Sequence, residues 1–411
     1  MKRQRARSRI GRSARIAAAV GLCVCAAGCG ASKGLKRSAN RATENWGITR
    51  DAKGNITLQN QKAAEAEVVF ATEGSTKELS AIFAKPEVIP ELKEMHAGIA
   101  VATTELSPER AQVVRQLNEA GIPVTAWLAL PMAQGYYVNA SNAADSTARF
   151  ADFEGWTAEN HLRWAGVGLD IEPNIREFSA FSKGDKLGLA WLLAKRYFEM
   201  GRVKRARRDY SSLIGKMQAA GYAVQTYQFP FLADERKERT TVLERLFGIV
   251  NVWGNTEVLM IYTSFHHSLD SGMIWAYGPK AQAIAVGVTE AGNTPGFTPL
   301  DWDELSRDMI VASYFTRTIG VYNLEGCVEQ GFLTRIAKLN WGQPVTIPAA
   351  AAQGALVVRE RVQRVLWIVA HLLYFVGALF LAIVCLIWLW RGRRRRKRAR
   401  GALAPEPAQG P

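Results

Sequence analysis

The sequence predicts a (β/α)8 barrel of the TIM type, with an N-terminal export segment and a C-terminal transmembrane helix at its two ends. Eight short runs of apolar and β-branched residues alternate with amphipathic or polar stretches, and about 280 residues are available to hold both. The chain has 411 residues, of which 48% are hydrophobic, so a wholly disordered chain is excluded. No glycine-rich phosphate loop follows the first run, which disfavours the alternative α/β fold, a doubly wound open sheet.

The predicted elements follow one another in the order that a barrel requires. Eight strands are expected at 67–71, 97–102, 123–130, 165–171, 223–228, 257–262, 283–288 and 319–323. Between them, amphipathic spacing predicts helices at 108–120, 187–220 and 298–315, and the first two are followed by glycine. Such alternation of strands and helices is typical of a parallel sheet.

The positive charge of the chain is concentrated at its two ends. The formal net charge is +15, and seven basic residues within 1–15 together with eight within 391–400 equal that excess. The rest of the chain is therefore neutral overall, which argues against a nucleic-acid partner. The basic run within 183–208 is expected to form an exposed helix face in contact with solvent. Contact with anionic lipid or cell-wall polymer is the alternative.

The N-terminal segment has the pattern of a secretory signal. A basic stretch without acids is followed by small and apolar residues at 16–28, a run too short to span a membrane comfortably. The end of this run, Ala-Ala-Gly-Cys29, resembles the bacterial lipobox and implies lipidation at Cys29. An uncleaved anchor and ordinary cleavage are the alternatives. Cys327 is the one cysteine of the body, so no disulfide is expected within it.

The C-terminal segment is long and apolar enough to cross a bilayer. Residues 365–390 contain no formal charge at neutral pH and are followed directly by the Arg-rich block, which predicts a cytoplasmic tail and an extracytoplasmic barrel. The predicted organisation is as follows: signal segment 1–29, polar tether 30–64, barrel 65–345, linker 346–364, transmembrane helix 365–390 and basic tail 391–411.

Carboxylates at the end of the fourth predicted strand give the strongest chemical signal. In Gly166-Val-Gly-Leu-Asp170-Ile-Glu172 the two acids are two positions apart, so both side chains lie on the side of the sheet that faces the barrel mouth. Two neighbouring carboxylates raise the proton affinity of one of them, which allows a carboxylic acid to donate a proton near neutral pH. A structural pair held by loops or by Arg is the alternative interpretation.

These residues resemble the fourth-strand motif of the family 18 glycoside hydrolases, the chitinase-like barrels. That motif reads D-G-x-D-x-D-x-E, and aligning it on Glu172 matches Gly166 and Asp170, whereas Ala165 and Gly168 replace its first two aspartates. Two further segments are similar to motifs of the same family. They are Met260-Ile-Tyr262-Thr263, which resembles M-x-Y-D, and Gly320-Val-Tyr322-Asn-Leu-Glu325-Gly326, which resembles the family's eighth-strand ending.

The resemblance implies hydrolysis of glycosidic bonds in an N-acetylated polysaccharide, either chitin-like or peptidoglycan. It implies that Glu172 protonates the leaving oxygen, while Asp170 and Tyr262 orient the substrate's 2-acetamido group, whose carbonyl is the nucleophile. No cofactor and no metal ion are expected. The substituted aspartates leave open a non-catalytic glycan-binding or envelope-scaffold barrel.

Two other glycosidase interpretations remain open. A retaining enzyme would use Glu172 as the acid and Glu290 as the nucleophile. The family 25 lysozymes also carry an Asp-x-Glu in a barrel, and they act on peptidoglycan. Substrate contacts are expected from side chains at or after strand ends and from aromatic faces: Glu73, Trp127, Gln228, Tyr322 and Asn323.

Overall fold

The computed structural model describes residues 46–63, 65–174, 186–290 and 298–401. Within them, eight parallel strands close into a barrel, with helices surrounding it. This confirms the predicted fold class. The predicted signal segment and Cys29 lie outside the described residues, as does the end of the basic tail.

The barrel contains every predicted strand, and each boundary agrees with the prediction to within a few residues. The barrel strands are β3 (Glu67–Thr72), β4 (Gly98–Ala102), β5 (Val124–Trp127), β6 (Gly166–Asp170), β7 (Val224–Gln228), β8 (Thr256–Met260), β9 (Ala283–Gly287) and β10 (Thr318–Tyr322). Neighbours in the chain are neighbours in the sheet, and β10 pairs with both β9 and β3 to close it.

The helices of the described residues lie between and after these strands. They are α1 (Thr76–Phe83), α2 (Val88–Glu94), α3 (Pro108–Glu119), α4 (Ala143–Glu159), α5 (Lys186–Tyr197), α6 (Met200–Ala219), α7 (Phe231–Glu238), α8 (Val242–Phe247), α9 (Gly272–Tyr277), α10 (Trp302–Ser313), α11 (Leu324–Glu329), α12 (Phe332–Ala337), α13 (Ala349–Ala370) and α14 (Leu372–Gly401). The helix predicted at 187–220 is two helices. The first helix ends at Tyr197, whose carbonyl accepts a hydrogen bond from Arg245.

Part of the predicted tether folds with the barrel. Strands β1 (Trp46–Arg50) and β2 (Ile56–Asn60) form an antiparallel hairpin, and β11 (Val345–Ile347) pairs with β2. Alternation explains this, because Ile56, Leu58 and Asn60 are buried while the intervening residues are more exposed. The polar composition of the surrounding sequence hides this short alternating run.

The predicted linker is also structured, since α13 packs against the barrel. Its residues Val362 and Leu366 are buried, so the first residues of the predicted transmembrane helix belong to this packed helix instead. After a break at His371, α14 contains the segment Leu372–Arg394, which has a mean hydropathy of 2.7. By length and composition it is the helix among the described residues that could cross a membrane.

A buried polar cluster fixes α13 to the barrel helices. The Arg359 Nε atom donates to Asp234 Oδ1 at 2.8 Å, and the guanidinium lies 4.8 Å from the centre of the Tyr277 ring. Tyr277 donates its hydroxyl to Asp234 Oδ2 at 2.6 Å, and Gln363 donates to Oδ1 at 2.7 Å. A charge buried in this way is tolerated because it is paired and hydrogen-bonded.

Candidate active site

The candidate active site lies at the carboxyl end of the barrel, where β6 places two acids side by side. Asp170 ends β6 and Glu172 follows two residues later, and both are less than a tenth exposed. The intervening Ile171 forms a bridge with Val138, so the loop after β5 extends the sheet and fixes the backbone between the two acids. Asp170 lines the cavity at the barrel mouth, and Glu172 is near enough for the charge of Asp170 to raise its pKa.

Both carboxyl groups are poorly solvated. Among the described residues, neither Asp170 Oδ1 nor Glu172 Oε2 has a hydrogen-bond partner. Burial raises the pKa of Glu172 well above its ordinary value, and the charges of Asp170 and Glu73 raise it further. Burial likewise raises the pKa of Asp170, with a smaller contribution from Glu73. A carboxyl group in this environment retains its proton near neutral pH and can donate it.

Glu73 is a third acid of this cluster. The sequence predicts it as a substrate contact, and in the structure its Oε2 atom accepts a 2.9 Å hydrogen bond from the Tyr322 hydroxyl. Burial raises its pKa to about 7. Hydrogen bonds from Tyr322 and Tyr136 lower this pKa, but by less than burial raises it. Glu73 is therefore hydrogen-bonded to Tyr322 of the eighth barrel strand, and its charge acts on the two acids of the fourth.

Aromatic rings surround the acids at the mouth. Trp127 and Tyr322 have ring centres 6.5 Å apart, and the Tyr262 ring centre lies 5.6 Å from that of Tyr322. All three side chains line a cavity of about 270 Å³ that extends from Asp170 down the barrel axis. The cavity exists because small residues occupy many inward positions: Ala71, Gly98, Ala100, Ala165, Ala283, Ala285 and Gly320. Most TIM barrels fill this space with larger side chains.

Tyr227 is a further mouth residue that the sequence analysis missed. It lines the same cavity, and its ring is stacked on Trp127 with the centres 6.5 Å apart. A Cβ atom added to Gly168 would lie 2.8 Å from Cε2 of Tyr227. The position where the family 18 motif has its middle aspartate is thus covered by an aromatic ring. Counting alternate positions along β7 from Gln225 would have indicated Tyr227.

Gln228 is not brought to the mouth, although its place at the end of β7 suggested it. It is fully buried, donating to the Val252 carbonyl at 2.5 Å and accepting from Arg236 Nη1 at 3.4 Å. Because strand side chains alternate, Tyr227 faces the barrel interior and Gln228 faces the helix layer. Its contacts hold α7 against the barrel.

Asn323 and Glu290 form a separate pair beside the cluster. Asn323 caps α11 by accepting from the Gly326 N–H at 3.0 Å, and its Nδ2 donates to Glu290 Oε2 at 2.8 Å. The charge of Glu290 raises the pKa of Glu73 and of Glu325. The pKa of Glu172 responds instead to Asp170 and Glu73. Glu290 is therefore electrostatically coupled to Glu73 and Glu325 rather than to Glu172.

Comparison with known proteins gives neither a family nor a curated relative. No family model matches the chain, and no curated protein matches it. Among the described residues, no three His, Cys, Asp or Glu side chains are grouped so as to hold a metal ion.

Solved structures with a similar course of the chain are remote. The PgaB (BpsB) glycoside hydrolase domain from Bordetella bronchiseptica is 10% identical, covers 67% of this chain and 99% of its own, and has a TM-score of 0.39. The 3-keto-D-glucoside 4-epimerase YcjR from E. coli is 11% identical, with the same coverage and a TM-score of 0.38.

A third structure of this kind is the GH18 chitinase ChiB from Flavobacterium johnsoniae. It is 12% identical, covers 67% of this chain and 94% of its own, and has a TM-score of 0.34. All three TM-scores are below 0.5 and all three identities are 12% or less, so these structures assign no activity to this chain. The geometry of the mouth carries the functional argument.

Proposed function

We propose that the chain is a glycoside hydrolase that cleaves an N-acetylated polysaccharide, with Glu172 as the general acid. The observation that supports it is the Asp170–Glu172 pair, two buried acids at the mouth whose shared burial favours a protonated carboxyl group. Trp127, Tyr262 and Tyr322 add flat faces on which the CH groups of a pyranose ring can pack.

The proposed reaction uses the substrate's own acetamido group as the nucleophile. Glu172 donates its proton to the glycosidic oxygen while the acetamido carbonyl oxygen attacks C1 and the glycosidic bond breaks. The leaving sugar departs as an alcohol, and a cyclic oxazolinium ion remains. Water then attacks C1, the bond between C1 and the acetamido oxygen breaks to restore the acetamido group, and the water gives its proton to the Glu172 carboxylate, which restores the acid. Asp170 and Tyr262 would orient the acetamido group during both steps.

The missing aspartates of the family 18 pattern change how Glu172 is tuned in this proposal. Tyr227 covers the place of the middle aspartate, and Glu73 supplies a charge that raises the pKa of Glu172. Glu73, which directly follows β3, thus gives Glu172 an acidic neighbour in place of the aspartates that β6 lacks. The alternative function, glycan binding without turnover, would use the same aromatic mouth.

We also propose that the barrel is exported and held at the membrane by α14, with the tail from Arg391 in the cytoplasm and with lipid at Cys29 as a second anchor. The apolar segment Leu372–Arg394 and the basic residues after it support this orientation. A barrel outside the cytoplasmic membrane would have peptidoglycan and other envelope glycans within reach.

The test is release of reducing ends by the detergent-solubilised full chain from chitin oligosaccharides, peptidoglycan and a β-glucan panel. Turnover is expected on an N-acetylated substrate, and Glu172→Gln should abolish it while leaving glycan binding intact. Glu119→Gln, on the exposed end of α3, is the matched control. Full activity of Glu172→Gln would overturn the assignment. Glycan binding without turnover in the unmodified chain would favour the binding alternative.

A further inference from the structure

Large apolar side chains are exposed at the junction of α5 and α6. Outside α13 and α14, four such side chains are more than half exposed among the described residues: Trp191, Phe198, Met200 and Trp253. The first three are 74%, 63% and 63% exposed and fall within ten positions of the chain. Exposed apolar groups gathered in this way mark an interaction surface, whereas scattered ones are ordinary.

This junction lies beside the point where the apolar segment of α14 begins. The Tyr197 hydroxyl donates a 2.8 Å hydrogen bond to the carbonyl of Val369, which is three residues before Leu372. The guanidinium of Arg245 lies 4.7 Å from the centre of the Tyr197 ring and fixes it from the other side. Phe198 follows Tyr197 directly, so the exposed apolar group lies near the start of the apolar segment.

The same surface is basic. Residues 186–208 contain eight Lys and Arg residues and one acid, Glu199, which pairs with Arg202 at 3.1 Å. Of the eight, Arg196 is buried and Arg207 pairs with Glu244. Lys195, Lys204 and Arg205 are exposed. Trp191 and Lys195 are four positions apart in α5, the spacing of neighbours on one helical face, and Phe198 follows directly after the end of that helix. Aromatic rings between basic side chains are typical of the headgroup region of a bilayer.

We propose that Trp191, Lys195, Phe198, Met200 and Lys204, the juxtamembrane patch, bind the anionic headgroup region of the bilayer that α14 crosses. The apolar side chains would enter the interface, and the lysines would attract acidic lipid headgroups. This proposal rests on the membrane anchoring proposed above and is independent of the hydrolytic activity.

The docking of α13 determines what such binding does to the barrel. Arg359 and Asp234 hold α13 rigidly to the barrel, whereas the break at His371 separates α13 from the apolar helix. A single spanning helix attaches the barrel to the membrane at one point. A second contact at the juxtamembrane patch would give the barrel one fixed orientation to the membrane surface.

The experiment uses the full chain in lipid nanodiscs that contain phosphatidylglycerol and a photoactivatable lipid, with labelled sites located by mass spectrometry. Labelling is expected in α14 and in the peptides around Trp191 and Phe198, but not around Trp253. Exchanging the acidic lipid for phosphatidylcholine should lower the labelling of the patch, and Lys195→Glu and Lys204→Glu should each lower it about fivefold.

Two further variants separate the patch from general exposure. Combined Trp191→Ser, Phe198→Ser and Met200→Ser should remove labelling of the patch and leave that of α14 unchanged, while Trp253→Ser is the matched control. Labelling confined to α14 would overturn the proposal, and so would links from the patch to a second copy of the chain. Absence of labelling in α14 would overturn the membrane anchor and the patch together, without bearing on glycan hydrolysis.

Discussion

Glu73 at the end of β3 accepts a 2.9 Å hydrogen bond from the Tyr322 hydroxyl at the end of β10, across the seam that closes the barrel. The bond positions a third acid, Glu73, whose charge raises the pKa values of Asp170 and Glu172. In this protein the electrostatics of the mouth are therefore shared between two strands, β3 and β6, that are not neighbours in the sheet.

Replacing Glu73 should shift the pH profile of the proposed hydrolysis. The acid must be protonated to act, so activity falls as pH rises through the pKa of Glu172. Glu73→Gln removes a charge that raises that pKa, and the alkaline limb of kcat/KM should move to lower pH. The measurement is the pH dependence of kcat/KM, with Glu67→Gln at the opposite end of β3 as the control. An unmoved alkaline limb would show that Glu73 does not tune the acid.

Replacing Glu290 distinguishes the two catalytic schemes. Glu290→Gln should retain most of the activity, because Glu290 binds Asn323 and its charge is coupled to Glu73 and Glu325 rather than to Glu172. A two-carboxylate mechanism predicts instead the loss of several orders of magnitude in kcat, with rescue by azide as an external nucleophile. Steady-state rates of Glu290→Gln with and without azide decide between them.

Much of the barrel could be predicted from the sequence because buried parallel strands are continuous apolar runs. The eight runs, including 97–102 and 283–288, stand out from the polar and amphipathic stretches between them. The hairpin of β1 and β2 could not be found in the same way. Its five-residue strands are only partly apolar, and the pairing of β2 with β11 joins segments almost 300 residues apart.

The part of the site that depends on the alternation of side chains along one strand was predicted. The part that depends on contacts between two strands was missed. Alternation along β6 places Asp170 and Glu172 together, but it does not show that Tyr227 covers Gly168. That contact depends on the register of β7 against β6, in which Tyr227 is paired with Asp170. The coupling of Glu73 to Glu172 likewise depends on barrel closure, which the order of residues does not reveal.

Adding a methyl group at Gly168 should destabilise the barrel. The new Cβ would lie 2.8 Å from Cε2 of Tyr227, so the ring or the strand must move, at a cost of about 1–3 kcal/mol. Urea unfolding followed by near-ultraviolet circular dichroism measures the change. Gly155→Ala within α4 is the matched control, because nothing lies within 4 Å of its added Cβ.

The control variant Gly155→Ala should itself gain stability, by roughly 0.5–1 kcal/mol, since glycine is unfavourable inside a helix. Tyr227→Leu combined with Gly168→Ala should recover part of the loss. Equal stability of Gly168→Ala and the unmodified chain would contradict the contact between β6 and β7.

Glu235 of α7 should make stability fall as pH rises. Burial and the charge of Glu244 raise its pKa to about 8, from an ordinary value of 4.5. Between these values the unfolded chain has released the proton and the folded chain still holds it, so the free energy of unfolding decreases with increasing pH. The decrease from this group is at most about 1.4 kcal/mol per pH unit.

Glu235→Gln should remove that contribution and raise stability at pH 8 more than at pH 5. Urea unfolding at a series of pH values tests it, with exposed Glu119→Gln as the control. Oε1 of Glu235 accepts from the Leu243 N–H at 2.6 Å, and the glutamine oxygen can keep this bond. An unchanged pH slope would indicate that Glu235 is ionised in the folded chain.

The pair of Arg359 and Asp234 should be the strongest single link between α13 and the barrel. Arg359→Met leaves the Asp234 carboxylate buried without its cation, which is expected to cost about 3–5 kcal/mol. Urea unfolding of the full chain in detergent measures the loss. Arg335→Met is the control: its guanidinium lies 4.3 Å from the Trp302 ring centre at the surface, and the loss there should be about 1 kcal/mol or less.

The double variant Asp234→Asn with Arg359→Met should regain much of the stability, because no uncompensated charge is then buried. A truncation after Pro348 removes Arg359, Val362 and Leu366 together, and it should therefore be less stable than the full chain even though every barrel strand and β11 are kept. If the truncated chain unfolded at the same urea concentration as the full chain, α13 would be a separate stalk that adds nothing to the stability of the barrel.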